Sequence, residues 1–162
     1  MKNKIEFIPI GVIRSPFKDI AGMPIQASLS GGVCGTVEIY PEFVEGLKSL
    51  DGFSHIYLIY NFHLSDGYSL EVKPFLDDAA HGVFATRAPK RPNHIGVSVV
   101  ELMRIENSIL HIKNVDIIDG TPLLDIKPYV RKFDCIETRK EGWLSGKTGS
   151  LNEHYSDDRF GK

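Results

Sequence analysis

VCGTVEIYPEFVEGLKSLDG, residues 33 to 52, contains both kinds of element that decide the fold. Val33, Val37 and Ile39 lie on one face of an extended segment and Cys34, Thr36, Glu38 and Tyr40 on the other, the alternation of a strand with one buried side. Pro41 suits the first position of a helix, where its missing amide is not needed. Phe43, Leu47 and Leu50 then recur at helical spacing until Asp51-Gly52 ends the segment. A strand over Val33 to Tyr40 and a short amphipathic helix are expected. Outward from there, Phe7 to Arg14, His55 to Phe62, Val97 to Ile105, Ile109 to Val115 and Leu123 to Lys127 also read as strands, with turns at Glu106-Asn107-Ser108 and Asp119-Gly120. Many short strands and one convincing helix predict a mainly β fold, a barrel or curled sheet whose closure removes exposed edges. After Asp134 the apolar alternation fades. Residues 135–162 read as an extended appendage, with Trp143, Leu144, Leu151, Tyr155 and Phe160 either docking on the barrel or covering a partner subunit.

A chain of 162 residues with 42% hydrophobic and 25% charged residues is expected to form one domain with a buried core. The net charge of -2 gives no general attraction for a polyanion, so nucleic-acid binding would need a local patch. Cys34 and Cys135 stand far apart outside any CxxC spacing, which predicts neither a disulfide framework nor a zinc site and fits a reducing cytoplasm. No apolar run reaches membrane-spanning length and MKNKIEFIPIG lacks a signal-peptide cleavage site, so no membrane partner is expected. There is no GxGxxG after a strand, no GxxxxGK[ST], no GxSxG, no HExxH and no HxE with PCxxC, which disfavours Rossmann, hydrolase and deaminase readings. Asp77, Asp78 and His81 could gather a metal on a helix, but Gly82 follows at once, so a solvated turn and no metal are expected. His55 and His63 share a strand face but stand too far apart for one metal; His55 reads as structural.

Two polar constellations stand out. In GVFATRAPKRPNHIG, residues 82–96, Pro89 and Pro92 exclude a helix interior and a central strand and leave a stiff loop carrying Arg87, Lys90 and Arg91. Such a loop suits phosphate or carboxylate recognition, with a solvated basic turn as the competing reading. In DIIDGTPLLDIKPY, residues 116–129, the Asp119-Gly120 turn, the Thr121 hydroxyl and Pro122 form a strand end able to hold a polar group, or an Asx-turn closing a hairpin. Asp125 and Lys127 can pair on one strand face.

These stretches, with IGVIRSPFK, GMPIQ at Gly22 to Gln26 and LDGFSHIYLIYNFH at Leu50 to His63, make the chain resemble the TsaA-like family, also called the TrmO-type tRNA methyltransferases. The resemblance covers residues 5–134 in the expected order; ATRxPxRPNxIG combined with DGTPxxDIKPY is its most specific part. It implies a single-sheet β-barrel of TsaA-like, YaeB-like type and S-adenosyl-L-methionine as cofactor. It further implies methylation of N6 of N6-threonylcarbamoyladenosine beside the anticodon of tRNA(Thr), by a homodimer.

By motif match, cofactor contacts are expected at Pro24, Ile25, Gln26, Phe62, His63, Arg87, Val97, Ile118, Asp119, Gly120 and Thr121. Lys90, Arg91 and Asn93 are expected to face tRNA. The acceptor nitrogen is delocalised into purine and carbamoyl group, so losing its proton would help; His63, Asp119 and Asp125 are the candidate catalytic bases. A small-molecule methyltransferase and a non-catalytic RNA-binding barrel are the rival functions.

Overall fold

The computed structural model describes residues 4–19 and 31–146. Its centre is a closed six-stranded antiparallel barrel formed by β1 (Gly11–Arg14), β2 (Cys34–Ile39), β3 (His55–Asn61), β6 (Ile95–Glu106), β7 (Ile109–Lys113) and β8 (Thr121–Pro128), in the order β1-β2-β7-β6-β3-β8. Two further strands, β4 (Glu71–Val72) and β5 (His81–Gly82), form a separate small hairpin. The barrel interior is filled by alternate residues, as the sequence pattern requires: Val37, Ile56, Leu58, Val100, Leu110, Ile112 and Leu123 are buried. Closure needs local changes of twist. The β3–β8 register shifts between Ile59 and Tyr60, and the β6–β7 register between Leu102 and Arg104.

The expected strands are present with adjusted ends. Only Gly11–Arg14 of the 7–14 run pairs in the sheet, and Phe7 and Ile8 are exposed. The expected helix is a 3-10 helix over Pro41–Leu47, followed after left-handed Ser49 by a 3-10 turn at Leu50–Gly52. Phe43, Leu47 and Leu50 still pack on the core. Their spacing therefore reported burial correctly but did not distinguish α from 3-10 winding, in which i and i+3 side chains align. Both expected turns form, with Asn107 at φ 56 and Gly120 at φ 77.

Antiparallel pairing places the ends of the strands at two rims. At one rim the connections are compact: residues 107–108 join β6 to β7, and the 3-10 segment joins β2 to β3. The other rim collects the connections 15–33, 62–94 and 114–120. The last of these closes the barrel mouth, because Val115 and Ile117 are buried in the core. The 62–94 connection is a cap with its own small core of Val72, Val83 and Ala88 against Phe75.

Candidate functional site

The elaborate rim carries nearly all of the residues singled out from sequence. Phe62 and His63 leave the end of β3, Arg87, Lys90, Arg91 and Asn93 lie in the cap, Val97 lies near the start of β6, and Ile118 to Thr121 lead into β8. Asp125 stands further along β8, opposite Ile59. Pro24, Ile25 and Gln26 belong to the 15–33 connection but lie outside the described residues.

Below the rim runs a polar chain that the sequence did not reveal. The Tyr60 hydroxyl meets Ser98 Oγ at 3.1 Å, and Ser98 Oγ donates to Asp116 Oδ1 at 2.7 Å. Tyr60 and Ser98 are 5% and 6% exposed, so this is a core network reaching up to a half-buried carboxylate. Burial pushes the Tyr60 phenol far above its ordinary range, and the Asp116 charge adds to the rise; Ser98 and the Arg87 charge act the other way. The phenol is thus a neutral donor and anchor. Gly96 makes room for it, because a Cβ there would overlap the Tyr60 ring and press on Phe62. The Tyr60 and Phe62 rings meet edge to face at 5.4 Å. Tyr60→Phe is expected to cost about 1 kcal/mol in denaturant unfolding, the net worth of one buried hydrogen bond, with the barrel intact.

His63 is set by its neighbours. Thr121 Oγ1 donates to the Ile118 carbonyl at 2.7 Å, so the hydroxyl can only accept from His63 Nδ1, at a long 3.4 Å. That favours the tautomer protonated at Nδ1 and leaves the Nε2 lone pair available. Partial burial lowers the His63 pKa below the ordinary imidazole value, opposed by the Asn61 backbone. At neutral pH the ring is therefore a proton acceptor.

The Asp119 turn does hold something polar, and it is the chain itself. Asp119 Oδ1 accepts from the Ser15 amide at 3.1 Å and Oδ2 pairs with Lys18 Nζ at 2.6 Å. The amides of Asp119 and Gly120 donate to the carbonyls of Phe17 and Ile13. The Lys18 hydrogen bond, helped by the Ser15 amide, holds the Asp119 carboxyl below its usual range, which makes it a poor base. A carboxylate depressed in this way contributes stability above its unfolded value and loses it as pH falls through the folded one. Asp119→Asn is accordingly expected to flatten the decline of Tm from about pH 4 downward. Asp125 pairs with Lys127 at 2.7 Å, as its strand position suggested, and its other oxygen accepts from the Ile126 amide.

The basic loop is braced from within. Arg91 Nη1 donates to the carbonyls of Thr86 and Ala88 at 3.2 and 3.3 Å, while the Thr86 hydroxyl donates to Val83. Arg87 and Asn93 are exposed and Lys90 is half-buried. His94 links the loop to the rest of the cap by Nε2 to Gly67 O at 2.7 Å, and its carbonyl accepts from the Phe62 amide. Ser65, just after His63, has a buried hydroxyl with no hydrogen-bond partner among the described residues. Asp77 instead meets His81 Nε2 at 3.0 Å, and no group of three metal-binding side chains occurs among the described residues. No described helix is long and apolar enough to cross a membrane.

Residues 12–135 match the family model described as the tRNA-methyltransferase O N-terminal domain. A probable S-adenosyl-L-methionine-binding protein of Pyrococcus abyssi is 54% identical over 152 residues, covering 94% of this chain and 83% of that protein. The tRNA (adenine(37)-N6)-methyltransferase of Escherichia coli is 36% identical over 138 residues, covering 79% of this chain and 59% of the enzyme. The crystal structure of TrmO from Pseudomonas aeruginosa superposes with a TM-score of 0.75 at 39% identity, covering 89% of this chain and 63% of that one. The chain thus spans less than two thirds of the last two proteins and most of the first. With three quarters of its length matched and the barrel shared, the chain belongs to the tRNA-methyltransferase O N-terminal domain family.

Proposed function

We propose that the chain is an S-adenosylmethionine-dependent methyltransferase acting on N6 of adenosine 37 in tRNA, with N6-threonylcarbamoyladenosine of tRNA(Thr) as its substrate, working as a cytoplasmic homodimer. The observation that carries this reading is the meeting of the connections 62–94 and 114–120 at one barrel rim. There an available histidine lone pair and an aromatic ring share the rim with a stiff basic loop that carries Arg87.

The residues fit the cofactor. A molecule with a carboxylate, a flat base and several hydroxyls needs a cation, an apolar wall and spare polar groups. Arg87 would supply the first and Phe62 the second, and the Ser65 hydroxyl two residues beyond His63 is a buried polar group without a partner among the described residues. When bound, the cofactor supplies an electrophilic methyl group. The chain's own residues position the acceptor, exclude water and manage one proton. His63 Nε2 accepts the proton from N6 as that nitrogen attacks, and Thr121 holds the ring in the competent tautomer. Of the three candidate bases, Asp119 and Asp125 are already engaged by lysines, which favours His63.

The test is methyl transfer from labelled S-adenosylmethionine to two tRNA(Thr) acceptors, one carrying the threonylcarbamoyl group and one lacking it. Label only in the modified acceptor is the expected result. Label in neither would remove the reading, and equal label in both would remove the finer substrate. The net charge of -2 keeps a small-molecule acceptor as the second reading, whose mark is turnover independent of tRNA.

A further inference from the structure

Beyond β8 the chain does not leave the barrel. The Tyr129 amide donates to the His55 carbonyl at the compact rim, and the Tyr129 ring lies 5.6 Å from that of Tyr57. A short helical turn over Arg131–Asp134 follows, and the Asp134 carboxylate reaches the Tyr57 hydroxyl on the outer face of β3. The segment next reaches the cap at the opposite rim. There Trp143 donates its indole N–H to the Ala85 carbonyl at 2.8 Å and stacks on His81 at 4.7 Å and 18°. His81 is held on its other side by Asp77.

This strap ends on the brace of the basic loop. Ala85 directly precedes Thr86, whose carbonyl receives Arg91 and whose hydroxyl receives the Ala88 amide. Three residues before Trp143 stand Lys140 and, next to it, Arg139, both exposed and without an ion pair among the described residues. Six described lysines and arginines elsewhere are paired with carboxylates, while Arg131 and Lys132 earlier in the same segment are also exposed and without an ion pair among the described residues. Arg139 and Lys140 border a shallow open depression of about 490 Å³ that Glu141 also lines.

We infer that the strap is a working part of the RNA surface: Trp143 fastens it to the cap, so that Arg139 and Lys140 extend the cationic face begun by the basic loop. The partner is the phosphate backbone of the same tRNA, so this inference rests on the proposed function. It extends that function to a segment beyond the match to the family model, which ends at residue 135.

The experiment measures the salt dependence of tRNA(Thr) binding together with S-adenosylhomocysteine affinity, using the full chain. The double variant Arg139→Gln with Lys140→Gln is expected to lower the slope of log K against log salt by between roughly one and two, the loss of two phosphate contacts. Its cofactor-product affinity should be unchanged. The emission of Trp143, the only tryptophan of the chain, should be unchanged too, showing that the strap is still docked. Trp143→Ala should produce the same loss of slope with both charges present, and Trp143→Phe, which keeps the stack on His81, should restore part of it. An undiminished slope in the double variant, or in Trp143→Ala, would overturn the inference. Wild-type protein that ignores tRNA altogether would remove the proposed function as well, which separates the two failures.

Discussion

His63→Ala is expected to slow methyl transfer by about 10²- to 10³-fold, within the usual worth of a positioned general base, while S-adenosylhomocysteine affinity changes far less than turnover. The expectation rests on three facts about one ring. Thr121 is committed to Ile118, so the lone pair stands on Nε2; partial burial keeps the ring neutral; and the alternative carboxylates are held by Lys18 and Lys127. The sign of the pH dependence follows. A base with a lowered pKa is protonated and inactive only below that value, so wild-type turnover should rise with pH through a point below the ordinary imidazole value of about 6.5 and then stay level. Asp119→Asn and Asp125→Asn should leave that limb in place and His63→Ala should abolish it. Unreduced turnover in His63→Ala, measured in single-turnover reactions, would move the proton to another acceptor.

Gly96→Ala is expected to cost the barrel a large share of its stability. The added Cβ would overlap the Tyr60 ring, and Tyr60 cannot step aside because its ring is buried and its hydroxyl is tied through Ser98 to Asp116. Overpacking of this kind costs about 2 to 3 kcal/mol, which lowers Tm by roughly 4 to 12 °C for a domain of this size. Phe62 would also be pushed, so S-adenosylhomocysteine affinity should fall along with stability. Gly82→Ala is the control. A Cβ there meets nothing within 4 Å, and its φ of -56° is one any residue adopts, so both quantities should hold. Equal melting temperatures for the two variants would show that the rings can rearrange.

The barrel was legible because its evidence is local and periodic. Val37, Ile56, Leu58, Val100 and Leu123 alternate with less buried neighbours, and each faces the core. The hairpin β4–β5 was not legible, since two-residue strands carry no period to read. For the candidate site, the resemblance gathered residues from separate connections, and the topology brings the described ones other than Asp125 to one rim. What the sequence left hidden is the use of polar groups over long separations. Nothing local marks Ser98 as the link between Tyr60 and Asp116, Asp119 as the fastening for residues 15–18, or Trp143 as the anchor on Ala85. Each depends on which chain segment the fold brings opposite, and short-range patterns do not encode that.

Mass spectrometry of tRNA nucleosides reads the methylation of N6-threonylcarbamoyladenosine in the cell. In cells lacking the gene for this chain, the methylated form of N6-threonylcarbamoyladenosine is expected to disappear and its unmethylated parent to accumulate, and the wild-type chain but not the His63→Ala variant is expected to restore the methyl group. An unchanged level of the methylated nucleoside in the deletion strain would mean that another enzyme places this methyl group.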